Sequence, residues 1–151
     1  MASIEKFEDI EAWQKARKLA REIYLITNQG DFAKDFGLRD QIRRAAVSVM
    51  SNIAEGFECG GDVEFRRFLA IAKGSTGEVK AQLYVALDVG LIDQTQFNKL
   101  YQLATETGNL IGGFIRYLSR GSGVASHESK SNKHTTRDLR LRTRNSNGVG
   151  R

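Results

Sequence analysis

The stretch Asp40-Gln-Ile-Arg-Arg-Ala-Ala-Val-Ser-Val-Met-Ser-Asn-Ile-Ala-Glu-Gly56 decides the fold class of this chain. Its apolar residues Ile42, Ala45, Ala46, Val49 and Ile53 recur at i, i+3, i+4, i+7 and i+11, the spacing of one helix face. The opposite face holds Arg43, Arg44, Ser48, Ser51 and Glu55. Such a helix buries one side in its own domain, and the use of its other face is the question about function.

Three further helices extend from this one by the same criterion. Ile10, Trp13, Ala16, Ala20, Ile23 and Tyr24 predict a helix over 10–27, with Asp9 as its N-cap and Asn28-Gln-Gly-Asp31 as its stop. Phe32 and Phe36, in the segment that follows, are expected to tuck against the bundle. Gly56 is expected to end the second helix, before a flexible link at 57–61. Asp62 then caps a third helix over 63–89, with Phe65, Phe68, Leu69, Ala72, Thr76, Val79, Leu83, Ala86 and Leu87 on one side. Gly90-Leu91 reads as its C-terminal stop, and Asp93 with Gln96 as a capping box. The fourth helix shows Phe97, Leu100, Tyr101, Ala104, Thr107, Ile111, Phe114, Ile115 and Leu118.

Composition agrees. The 151 residues are 40% hydrophobic and include no proline, which suits long helices better than many short strands joined by turns. The expected fold is all-α, an antiparallel up-down-up-down four-helix bundle over 1–119 with a disordered basic tail over 120–151. Glycine inside a helix costs about 1 kcal/mol relative to alanine. Gly74, Gly77, Gly108, Gly112 and Gly113 therefore predict close backbone approaches, with Ala104, Gly108 and Gly112 forming a ridge of small residues. Glycines tolerated without special contact are the alternative.

The formal charge of +5 is concentrated in the tail: residues 120–151 hold eight Lys or Arg against two Asp or Glu, while residues 1–119 hold fifteen against sixteen. The lone Cys59 excludes an internal disulfide framework and fits a reducing compartment. No basic-then-apolar leader opens the chain and no run approaches the ~18 apolar residues of a membrane span, so a cytoplasmic location is expected.

Catalytic patterns are sparse. Both histidines, His127 and His134, fall in the tail, leaving the body without an imidazole base or ligand. Lys73-Gly-Ser-Thr-Gly77 lacks the order of a phosphate loop. Asp40, Glu55, Glu58, Asp62, Glu64 and Glu78 lack the Glu-x-x-His pattern of carboxylate-bridged metal bundles, and solvated or paired carboxylates are expected, Asp40 with Arg43 or Arg44 and Asp62 with Arg66. No enzyme, metal or cofactor is expected. Arg39, Arg43, Arg44, Arg66 and Arg67 remain as candidate phosphate contacts. Pairing with nearby acids or a neighbouring subunit is equally open. Arg137, Arg140, Arg142 and Arg144 of the tail read as nucleic-acid contacts, with vector-like or decaying sequence as the alternative.

The segments Phe7-Glu-Asp-Ile-Glu-Ala-Trp-Gln-Lys-Ala16, Gln41-Ile-Arg-Arg-Ala-Ala-Val-Ser-Val49, Ser51-Asn-Ile-Ala-Glu-Gly-Phe57, Glu64-Phe65 and Phe68-Leu69 resemble a known family. It comprises small bacterial four-helix-bundle proteins encoded in intervening sequences of 23S ribosomal RNA genes, together with the accessory variability determinant of diversity-generating retroelements. The resemblance covers roughly residues 4–119. It implies a non-enzymatic homo-oligomer, typically a pentamer. Relatives of the retroelement protein bind RNA or DNA and contact the reverse transcriptase, which gives the leading expectation for function. The alternative is an oligomeric protein-interaction module. Ser48, Ser51, Asn52 and Glu55 are the expected subunit interface. One position departs from the family pattern: Met50 stands where proline is usual, and it predicts a straighter second helix.

Overall fold

The computed structural model describes residues 4–120. They form four helices, α1 (Glu11–Thr27), α2 (Phe36–Glu58), α3 (Asp62–Asp88) and α4 (Gln94–Arg120), with short 3-10 turns at Phe7–Asp9 and Gly30–Lys34. There is no strand among the described residues. Among the described residues, 4–115 cluster as one compact unit.

Short connections make consecutive helices antiparallel, and side-chain contacts close the circuit. Arg43 of α2 reaches Thr27 of α1 at 2.8 Å, and Ser48 of α2 meets Ser75 of α3 at 3.0 Å. Tyr84 of α3 packs on Phe97 of α4 with centroids 4.8 Å apart. Two ion pairs join α4 to α1, Lys15–Glu106 at 3.3 Å and Lys99–Glu22 at 3.6 Å. The architecture is the up-down-up-down bundle that the periodicity predicts.

Its core brings together Leu19, Ile23, Ile42, Ala46, Val79, Leu83, Leu100 and Ala104, with Phe32 and Ile92 from the connections. Burying a Leu, Ile or Phe side chain is worth about 1.5–3 kcal/mol, against ~0–1 for an exposed ion pair. The apolar seams, not the surface pairs, therefore hold the bundle. All five apolar positions of the opening stretch are buried.

The helix ends follow the sequence in some places and depart in others. The α3 stop forms as expected: Gly90 adopts φ +78°, its N–H reaches the Leu87 carbonyl at 3.1 Å, and Leu91 N–H reaches Ala86 at 2.8 Å. Asp93 and Gln96 make the reciprocal box, with bonds of 2.9 and 2.8 Å. Asp9, by contrast, does not cap α1. It lies in the 3-10 turn, and buried Ile10 takes the N-cap position with no side-chain bond. Packing of the turn sets this boundary, because Phe7 lies edge-on to Trp13 at 5.1 Å and Gln14 bonds the Glu8 carbonyl. Gly61, rather than Asp62, occupies the N-cap of α3; Asp62 sits inside the first turn, where its charge still meets the helix dipole.

Gly56 does not end α2. The helix runs on to Glu58, and the left-handed turn falls to Gly60 at φ +82°. Gly56 is buried instead, facing Phe65 and Phe68 of α3. The helix also starts earlier than the stripe implies, at Phe36, capped by the Asp35 carboxylate on Leu38 N–H. Phe32 is buried as expected, but Phe36 is 63% exposed and Tyr24 46%. The helix runs unbroken through Met50, which packs beside the core. Of the interior glycines, Gly108 makes the expected close approach, 3.0 Å from Thr76 Oγ1 for an added Cβ, whereas Gly74 and Gly77 have nothing within 4 Å.

Candidate functional site

The five candidate arginines of the body do not share one environment. Arg39 is bound on two sides, Nε to Asp40 at 3.0 Å and a terminal nitrogen to the Ala33 carbonyl at 2.9 Å, and lies over the Phe36 ring. Arg43 donates Nε to Thr27 Oγ1 and stacks 4.5 Å from the Tyr24 centroid. Arg67 is paired with Glu64 at 3.0 Å and lies over Phe68. Arg66 is half-buried. Arg44 is exposed and forms no ion pair among the described residues. The expected partner of Asp40 was Arg43 or Arg44; it is Arg39, because Arg43 turns toward α1.

Arg44 borders an open cleft of about 340 Å³ between α2 and α3, lined by Gln41, Ala45, Ser48, Ser75, Glu78 and Gln82. Its floor is a hydrogen-bond relay. Asn52 donates to the Ser48 carbonyl at 2.8 Å and to Ser48 Oγ at 2.9 Å, and the Ser48 and Ser75 hydroxyls meet. Ser75 also bonds the Ile71 carbonyl. Ser48 thus joins α2 to α3 within the chain and Asn52 braces it from the same helix, while Ser51 and Glu55 are exposed. Gln82 Oε1 is buried at the cleft without a hydrogen-bond partner in the described residues.

Sequence reading missed Arg17 and Arg21. Both are exposed on α1 and neither forms an ion pair among the described residues. The signal was present in the helical register, since Gln14, Arg17, Arg21 and Tyr24 share one line of α1 without an acid, continued by the C-cap Asn28. A second feature is the outer face of α3, where exposed Ile71, Val85 and Val89 flank Gly74, Gly77 and Ala81. Arg137, Arg140, Arg142, Arg144 and both histidines lie outside the described residues. Among the described residues, no three His, Cys, Asp or Glu stand together as metal ligands, and no helix is long and apolar enough to cross a membrane.

Geometry of this kind defines a class: an antiparallel four-helix bundle whose distinctive groups are surface arginines and one small-residue helix face. The chain belongs to the family of 23S rRNA-intervening sequence proteins, whose pattern it matches over residues 8–113. A similar solved structure is a protein of unknown function from the S23 ribosomal protein family of Bacteroides thetaiotaomicron. It is 23% identical, with a TM-score of 0.63 over 69% of this chain and 97% of that one. The likeness establishes the shared fold. No curated protein gives a significant match.

Proposed function

We propose that this protein is a non-catalytic, self-associating nucleic-acid-binding accessory protein, in a role like that of the retroelement accessory factor beside its reverse transcriptase. The observation that carries the reading is the set of exposed arginines without acid partners, Arg17, Arg21 and Arg44. In a body whose charges nearly cancel, guanidinium groups left unpaired on open helix faces are placed for an external anion, and phosphate suits their geometry. The tail arginines Arg137, Arg140, Arg142 and Arg144 add to this, and an oligomer multiplies weak contacts through effective concentration.

Self-association is supported by α3. Gly74 and Gly77 each weaken the helix by about 1 kcal/mol relative to alanine, and no contact within the subunit offsets that. Lys73 and Glu78 edge the same face with opposite signs, which suits another copy of the chain better than a polyanion. On this reading the subunit contact lies on α3, with Ser51 and Glu55 exposed on the neighbouring helix α2 and Ser48 and Asn52 hydrogen-bonded within the chain.

The test is binding of labelled RNA by the full chain at several salt concentrations. Neutralising Arg137, Arg140, Arg142 and Arg144 to Gln should flatten the dependence of log K on log[salt], because fewer counterions are displaced. An unchanged slope removes the tail from the mechanism. A second reading, an oligomeric protein-interaction module without nucleic-acid binding, is favoured by the pairing of Arg39 and Arg67 with acids. It predicts oligomers by light scattering and no RNA affinity at any salt.

A further inference from the structure

We infer that the outer line of α1 formed by Arg17, Arg21 and Tyr24 is a seat for single-stranded nucleic acid, with an unpaired base stacked on the Tyr24 ring. The inference deepens the nucleic-acid reading above and rests on it.

Positions i, i+4 and i+7 put the three side chains on one line spanning about 10 Å of helix. The line contains no carboxylate: its other members are Gln14, whose amide is used on the Glu8 carbonyl, and exposed Asn28. Arg17 lies over Trp13 at 5.8 Å, and Arg21 projects from the exposed face. Both keep their charge available to phosphate.

Tyr24 is the unusual member. A large aromatic side chain that is 46% exposed on a polar helix face gives up burial it could have had. Its ring is nevertheless held. Arg43 lies 4.5 Å from its centroid, and the guanidinium is fixed by donating Nε to Thr27 Oγ1 at 2.8 Å. Thr27 in turn donates to the Ile23 carbonyl at 2.7 Å, so a short relay from the buried side of α1 sets the cation and the cation sets the ring. A ring ordered before binding loses less freedom when a base arrives. A base on the open face completes a guanidinium–phenol–base stack, and the adjoining phosphates reach Arg21 and Arg17. A duplex keeps its base faces inside its own stack and cannot use the ring.

Phe36 supplies an internal control. It is more exposed than Tyr24 and carries Arg39 over its ring at 4.7 Å. Asp31, Asp35 and Asp40 lie within five residues of it, however, and Arg39 is bound to Asp40. A strand passing there would bring its phosphates to carboxylates.

The experiment is fluorescence anisotropy of the full-length protein with labelled oligo-dT, oligo-U and a duplex of equal length at fixed moderate salt. The single strands should bind at least about fivefold more tightly than the duplex, and Tyr24→Leu should weaken them by about fivefold or more. Tyr24→Trp should retain binding, and Phe36→Leu should leave it unchanged. Arg17→Gln and Arg21→Gln should each lower the single-strand salt slope by about 0.7. Circular dichroism of each variant checks that the helices persist. Equal affinity for duplex and single strands, or no effect of Tyr24→Leu, overturns the stacking seat and leaves general nucleic-acid binding intact. No binding of any probe by the unaltered chain overturns both.

Discussion

Gly56 of α2 meets Phe68 of α3 so closely that a Cβ added at the glycine would stand 2.7 Å from the Phe68 Cβ. The Phe65 ring lies 3.1 Å away on the same side. A Cβ cannot swing aside as the end of a long chain can, so relief requires the helices to separate. Gly56→Ala gains about 1 kcal/mol of helix propensity but incurs overpacking strain of about 1–3 kcal/mol. The net expectation is destabilisation, read as a lower urea midpoint at unchanged m-value.

Gly74→Ala and Gly77→Ala should do the opposite to the isolated subunit. Both sites are open and helical, so each substitution should add about 0.5–1 kcal/mol. Urea titration at low protein concentration measures this. If α3 is the self-association face, the same variants should weaken the oligomer, read by light scattering at high concentration.

The Ser48–Ser75 contact predicts coupling. Ser48→Ala should cost about 1 kcal/mol, since Asn52 and Ser75 each lose one bond and keep another. Ser75→Ala should cost a similar amount. The double variant should cost less than the sum of the two, because the shared bond is lost only once. A thermodynamic cycle from three urea curves checks it.

Glu106 predicts the acid limb of stability. Its carboxyl is held below the ordinary value of 4.5, first by the hydrogen bond from Gln102 and then by Lys15. A depressed carboxyl stabilises the folded state above its unfolded pKa, and that contribution fades as pH falls through the folded value. The stability difference between the natural chain and Glu106→Gln should thus be constant near neutrality and shrink below about pH 4.5. Denaturation at a series of pH values reads it, and a difference that widens in acid contradicts the assignment.

Local order was legible wherever one residue's neighbours along the chain decide the outcome. The stripe Ile42-Ala45-Ala46-Val49-Ile53, the stop at Gly90-Leu91 and the box at Asp93-Gln96 follow from helical periodicity and from bonds spanning at most five residues. So does the line Arg17-Arg21-Tyr24, whose spacing is less conspicuous than the adjacent pairs Arg43-Arg44 and Arg66-Arg67. Nearby spacing failed where a distant element settles the matter. Gly56 looked like a helix end because glycine often is one, yet the approach of Phe65 and Phe68 makes it an interior contact. Asp9 had the right chemistry for a cap, but the packing of Phe7 on Trp13 drew it into a preceding turn.

By itself, then, the sequence determined the number of helices, their antiparallel order and the buried stripe of α2. Each of these rests on periodicity and on short-range backbone bonds. Only the tertiary structure decided which polar groups remain for others. Whether Arg43 faces solvent or Thr27, whether Ser48 bonds Ser75, and whether Gly77 touches anything within the chain depend on which helix lies alongside. That arrangement is set by core packing between segments far apart in the chain, which no local spacing encodes.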